Sequence, residues 1–167
     1  MDDQEKKSYK AGLKQFALDL ISTRIEAARS LADQAQEAAN QEEKSSAGDK
    51  YETSRAMGHL QKDMHSRQQA EHARELATLH QVRVDILYSA AVAGAFIQCS
   101  DNVFPSDGSL SGSFGFFIAA GLGKQQVHDQ TIIFLSPAAP LAKTLYQRRS
   151  GDSFVFNGRA LLIQDIF

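Results

Sequence analysis

The chain changes its hydrophobic period once, near residue 85. In the first half, Ile21, Ile25, Ala28, Ala32, Ala35 and Ala39 recur at alternating steps of four and three, the spacing of a helix face packed on one partner helix. Leu13, Phe16, Leu20 and Leu31 widen the stripe near the start. Toward residue 40 it narrows to alanine, which allows a close approach. A second helical pattern begins near Asp49 and carries Met57, Leu60, Met64, Ala70, Ala73, Leu76 and Leu79, with charged residues between them. No third comparable helix is present to complete a bundle, so the pattern predicts a two-helix antiparallel hairpin over about residues 8–82. Each arm has about 30 to 35 residues, which at about 1.5 Å per residue places the turn roughly 45 to 50 Å from the base.

Beyond Val82 the period becomes that of strands. Strands are predicted at residues 91–99, 114–120, 130–135, 153–156 and 159–167, the last two joined by Asn157-Gly158, a strong two-residue hairpin signal. A polar loop with Pro105 and Asp107-Gly108 separates the first two. Pro140 can open a short helix through Tyr146, because proline suits the first helical turn. Residues 85–94 could extend the helix or begin the sheet. The expected class is α+β: a coiled-coil hairpin over residues 1–85 and an antiparallel β domain with one short helix over residues 86–167.

Charge distribution supports the same division. Residues 1–85 hold 13 of the 18 Lys and Arg and 15 of the 20 Asp and Glu, whereas all three prolines and 8 of the 11 glycines follow residue 85. A solvated rod and a turn-rich compact domain fit this split. The formal net charge of -2 gives no bulk attraction to nucleic acid or an anionic membrane. The single cysteine, Cys99, excludes an internal disulfide and suits a reducing, cytoplasmic compartment. No segment approaches the roughly 18 apolar residues of a membrane span. His59, His65, His72 and His80 never fall three or four residues apart, the spacing that would place two ligands on one helix face.

The chemistry-bearing stretch is the acidic turn between the helical patterns, Glu42 to Thr53. Gly48 can take the positive φ of a helix end. Asp49 and Glu52 stand in the Asp-x-x-Glu spacing that opens a helix. Taken locally, this is a capping box that stabilises the second helix by about 1 kcal/mol. Glu42 and Glu43 read as solvated charge.

Gly-Asp-x-x-Glu at the turn of a hairpin that precedes a small β-rich domain resembles the bacterial Gre-type transcript cleavage factors. A second stretch, Ile133 to Leu145, resembles the place in that family where a strand ends in a Ser-Pro-x-x-Pro turn and enters a short helix. Gly151-Asp152 and the final hairpin follow in the same order. The resemblance implies an FKBP-like C-terminal domain and a hairpin that enters the secondary channel of bacterial RNA polymerase. There, Asp49 and Glu52 would help the polymerase hydrolyse backtracked RNA near its 3′ end, sharing a magnesium ion with the polymerase and holding none stably alone. Ser136, Pro137, Ala138, Ala139 and Pro140 would contribute to docking at the channel rim. A monomer that is not itself an enzyme is expected.

Relatives of Gre factors also include proteins that occupy the channel and inhibit cleavage or transcription, so inhibition is the alternative. Two other classes are a coiled-coil adaptor with replaceable tip acids and, by fold analogy alone, a prolyl isomerase.

Overall fold

A computed structural model describes residues 1–43, 49–101 and 114–167. The elements run α1 (Asp3–Glu43), α2 (Asp49–Gln81), β1 (Phe96–Asp101), β2 (Phe114–Ile118), β3 (Gly123–Val127), β4 (Gln130–Leu135), α3 (Pro140–Leu145), β5 (Ser153–Phe156) and β6 (Arg159–Ile166). By packing, the chain divides into two compact units, one of residues 1–17 and 78–167 and one of residues 18–77.

The first unit is built on a sheet of order β3-β4-β2-β1-β6-β5. Neighbouring strands are antiparallel except β2 and β4, which pair in parallel because the β3–β4 hairpin places β3 outside β4. One sheet face carries Phe96, Phe117 and Phe134, adjacent in register across β1, β2 and β4. The start of α1 covers this row. Tyr9 stands edge-on to Phe96 at 5.1 Å, and Phe16 lies 5.9 Å from Phe134. The other face packs Phe116 and Phe154, 5.8 Å apart, with Ile97, Ile163 and the buried Ala142 and Leu145 of α3.

Among the described residues six strands form where five are expected. The additional one, β3, joins β4 through His128 and Asp129, whose φ values of 48° and 61° match the type I′ turn geometry. Asn157 and Gly158, at 50° and 77°, form the expected turn between β5 and β6. The first strand begins at Phe96 rather than residue 91, and residues 82–95 form neither helix nor strand. Their backbone groups are satisfied elsewhere. Ala91 exchanges hydrogen bonds with Gln147 and Arg148, Gly94 N donates to Ile118 O at 2.8 Å, and Lys14 Nζ donates to Val82 O at 2.8 Å.

In the second unit α1 presents its expected stripe: Ala28, Ala32 and Ala39 are buried, while Ile25 and Ala35 are half-buried. The expected stripe on α2 holds at its end, where Leu76 is half-buried and Leu79 buried, and is corrected before that. Met57, Leu60 and Met64 are 54%, 64% and 48% exposed, Ala70 and Ala73 are exposed, and so is Leu31 of α1. Besides Glu75, the half-buried positions are Gly58, Lys62, His65, Gln69, His72 and Leu76, a run of alternating fours and threes. Small alanines on α1 let the helices come close at Gly58, where an added Cβ would lie 3.2 Å from Ala39 Cβ. Longer polar chains lie across the seam instead, as Lys62 does when it donates to Gln36 Oε1.

Candidate functional site

The contacts Ala39–Gly58 and Gln36–Lys62 make the two arms antiparallel. Both pairs lie nearly symmetrically about the break between α1 and α2, so the acids belong to the turn end of the hairpin unit. Glu42 and Glu43 are the last residues of α1. Asp49 is the first residue of α2, and Glu52 follows within the first turn. Positions three apart on a helix are neighbours on its surface, and 49 and 52 stand three apart in the first turn of α2. The side chains of Glu42, Glu43, Asp49 and Glu52, and the whole of residues 44–48, lie outside the described residues.

The same spacing is fully described once elsewhere, at the start of α1. Asp2 N donates to Glu5 Oε2 and Glu5 N donates to Asp2 Oδ1, both at 2.7 Å, a reciprocal capping box. There Asp2 precedes the first helical residue, Asp3, as a capping residue does. Asp49 is itself the first helical residue of α2.

Magnesium prefers hard oxygen ligands in octahedral array. Two carboxylates are the right donors but too few for a self-sufficient site, so the pair fits a shared ion. Among the described residues, no group of three or more His, Cys, Asp or Glu side chains is placed to hold a metal. His65 and His72 lie on the half-buried seam of α2 and contact Gln68 and Glu75 of their own helix. Cys99 is buried, which pushes its thiol pKa up to about 12 and removes it as a nucleophile.

The segment Ser136–Pro140 forms a closed turn. Ala139 N donates to Ser136 O at 2.9 Å, with Pro137 at the position where its fixed φ suits a turn. Ala138 N lies 3.3 Å from Ser136 Oγ, its acceptor. Pro140 then starts α3, and Lys143 N donates to Ala139 O at 3.0 Å. Ala138 and Pro140 are exposed, whereas Ala139 and Leu141 lean on the core. The turn thus presents a rigid two-residue surface.

One polar constellation escaped the sequence reading. Lys6, Lys10 and Lys14 recur every four residues along α1 and all grip the sheet unit. Lys6 pairs with Asp165 at 2.7 Å, and Lys14 donates to His80 O and Val82 O. Lys10 is wholly buried. It donates to Ile86 O and to Gly94 O and stands 4.7 Å from the centre of the Tyr88 ring. Burial, only partly offset by Asp85, lowers its pKa to about 8. The signal lay in the stripe itself: Lys10 occupies the position that continues Ala17 and Leu13 toward the N-terminus.

An open groove of about 430 Å³ beside α1 is lined by Glu5, Ser8, Tyr9, Gly12 and His128 among others, but its carboxylate is the one already engaged in the capping box. No helix among the described residues is long and apolar enough to cross a membrane.

No protein-family model matches the chain, and no curated protein matches it. Among solved structures it is similar to the GreA factor homolog 1 (Gfh1) protein of Thermus thermophilus, at 13% identity over 90% of this chain and 94% of that one, with a TM-score of 0.34. A structure described as the transcription factor Gfh1 matches at 15% identity, over 90% of this chain and 92% of that one, with a TM-score of 0.35. Superpositions this loose carry no argument about function.

Proposed function

We propose that the protein is a transcription elongation factor that acts in the bacterial cytoplasm. It inserts the turn end of its hairpin into the secondary channel of RNA polymerase and stimulates the polymerase's cleavage of backtracked RNA. The observation that carries this reading is the placing of two acids, at positions 49 and 52, in the first turn of α2 at the break of an antiparallel hairpin. The order of elements agrees with the Gre resemblance: hairpin, sheet, and a Ser-Pro turn leading into a short helix.

In this role the chain supplies two carboxylates and the polymerase supplies the rest. A magnesium ion held jointly with the polymerase contributes Lewis acidity and lowers the pKa of water. Asp49 offers hard oxygen ligands to that site, and Glu52 is placed to assist it or to accept a proton from the attacking water. The water oxygen forms a new bond to phosphorus as the bond from phosphorus to the 3′ oxygen of the preceding nucleotide breaks; one water proton passes to a carboxylate, and a proton taken up from that carboxylate or from solvent leaves the departing 3′ oxygen as a hydroxyl. The turn at Ser136, Pro137, Ala138, Ala139 and Pro140 contributes to docking at the channel rim, since a proline-fixed surface loses little entropy on binding.

The test is a purified backtracked elongation complex with labelled RNA at neutral pH in magnesium. The parent accelerates cleavage. Asp49→Asn and Glu52→Gln keep helix content and polymerase affinity but lower the stimulated rate on the order of 10²-fold, the scale of a lost acid–base or charge contribution. Asparagine still caps a helix, so the substitution separates capping from catalysis. Equal cleavage by the variants and the parent makes the acids caps and ends the assignment. Suppression of intrinsic cleavage by the parent replaces stimulation with inhibition.

A further inference from the structure

Of the three asparagines in the sequence, Asn40 precedes Gln41, Asn102 precedes Val103 and Asn157 precedes Gly158. The amide carbon of an asparagine is electrophilic, and the next backbone nitrogen can reach it to close a cyclic imide. A side chain on that next residue obstructs the approach, and glycine has none.

At Asn157 the fold prepares this closure. Asn157 and Gly158 are the exposed turn between β5 and β6, with φ values of 50° and 77°, a type I′ turn. The two primed turns share a positive φ at the first central residue and differ in the plane of the peptide between the two. Turning that plane over gives type II′, in which ψ of the first residue is about −120°. At that ψ the Cα–Cβ bond of Asn157 eclipses the bond from its carbonyl carbon to Gly158 N, which is the geometry of the imide ring. The φ of Asn157 already has the sign that type II′ needs. Nothing ties the plane down: the ladder closes at Phe156 and Arg159, and no hydrogen bond of the described residues uses Asn157 O or Gly158 N. The space around Gly158 is open, since an added Cβ would meet nothing within 4 Å.

We propose that Asn157 is a site of self-modification, at which Gly158 N displaces the side-chain amide and the folded protein acquires aspartate or isoaspartate in the β5–β6 turn. Gly158 N gives its proton to a solvent base as it bonds to Asn157 Cγ. The bond from Cγ to Nδ2 breaks, and the nitrogen leaves as ammonia. Water then opens the imide at either carbonyl: attack at Cγ gives aspartate, and attack at the main-chain carbon gives isoaspartate. One ammonia is released, and nothing is oxidised or reduced. Asp-Gly suits a type I′ turn as Asn-Gly does, so aspartate adds a negative charge and keeps the hairpin. Isoaspartate lengthens the main chain by an atom, and the two-residue turn no longer fits the Phe156–Arg159 register. Because β5 is an edge strand whose Phe154 and Phe156 stand 5.8 and 5.4 Å from Phe116, that product loosens one margin of the core.

The test ages the purified full chain at mildly alkaline pH, once folded and once in denaturant, beside an Asn157→Gln variant, whose side chain would need a larger ring. The tryptic peptide 150–159 is read by mass spectrometry after chromatographic separation of its aspartyl and isoaspartyl forms. The folded parent releases ammonia and accumulates both forms, at a rate within about tenfold of the unfolded chain because both primed turns are favoured hairpin geometries. Asn157→Gln keeps its amide, and so do Asn40 and Asn102. The isoaspartyl fraction exchanges the backbone hydrogens of β5 faster than the aspartyl fraction does. Conversion in the unfolded chain with none in the folded one means that the turn locks its peptide plane, and overturns the proposal. No conversion in either state overturns it too, as does loss of amide at Asn40 or Asn102 as fast as at Asn157.

Discussion

The two compact units handle their large apolar side chains in opposite ways. The sheet unit buries them: Phe116 and Phe117 are fully inaccessible, Phe134 is 1% exposed, and even a lysine of α1 is drawn under cover. The hairpin unit packs alanine against glycine and polar chains while Met57, Leu60 and Met64 stay outside. Helical stability in proteins comes mostly from burial of an apolar face rather than from propensity. The sheet unit thus has the means to be stable by itself, whereas the hairpin unit has a thin seam and an outer surface suited to being covered.

The sharpest break of this contrast is a pair of truncations. Phe134→Ala removes a ring in contact with Phe16 and Phe117 and should cost about 3 to 5 kcal/mol. Leu60→Ala, on the exposed face of α2, should stay within about 0.5 kcal/mol of the parent. Denaturant unfolding followed by circular dichroism measures both. Similar losses at the two positions would mean that the outward face already has a partner within the chain.

What was legible in the sequence follows from the same contrast. The alanine stripe of α1, the Pro140 helix start and the Asn157-Gly158 turn were all readable, because in each the local residue preference and the tertiary demand agree. The β3–β4 turn was not, because His128 and Asp129 adopt the same positive φ values without a glycine to announce them. Residues 91–95 look like a strand and are partly buried, yet their backbone bonds go to Ile118, Gln147 and Arg148 through a connection that composition does not reveal. Before Leu76 the seam of α2 was misplaced because pattern reading follows the apolar residues, and there Met57, Leu60 and Met64 face outward. At the candidate site, the positions of Asp49 and Glu52 at a helix start were readable. The burial of Lys10 was not, since it depends on carbonyls more than 70 residues away in sequence.

Lys10 gives the sheet unit a pH signature. Its pKa is lowered to about 8 from an ordinary 10.5, so between these values the unfolded chain holds more protons than the folded one. Stability therefore rises as pH increases through this window: the cost of burying the charge is present in full below about 8 and gone above about 10.5. The slope contributed by one such group approaches about 1.4 kcal/mol per pH unit in mid-window. Lys10→Met should flatten the profile from pH 8 to 10.5. It should also lower stability at high pH, because Ile86 O and Gly94 O lose their donor. Denaturant midpoints measured across that range, with an unchanged slope in the variant, would place the titration elsewhere.

The smallest effect tests how tight the hairpin seam is. Two glycines interrupt the helices, and they differ in surroundings: a Cβ at Gly12 would meet nothing within 4 Å, while one at Gly58 would lie 3.2 Å from Ala39 Cβ and 3.8 Å from Ala35 O. Alanine is favoured over glycine in a helix interior by about 1 kcal/mol, so Gly12→Ala should stabilise the protein by nearly that amount. At Gly58 the same gain is opposed by crowding of Ala39, and the net change should be smaller or negative. Making Gly58→Ala in an Ala39→Gly background relieves the contact. A double-mutant cycle should then show a favourable coupling of about 0.5 to 1 kcal/mol, read from thermal or denaturant unfolding. A cycle that closes with no coupling would mean that the arms separate freely at this level, and the close approach that forces polar residues of α2 onto the seam would lose its cause.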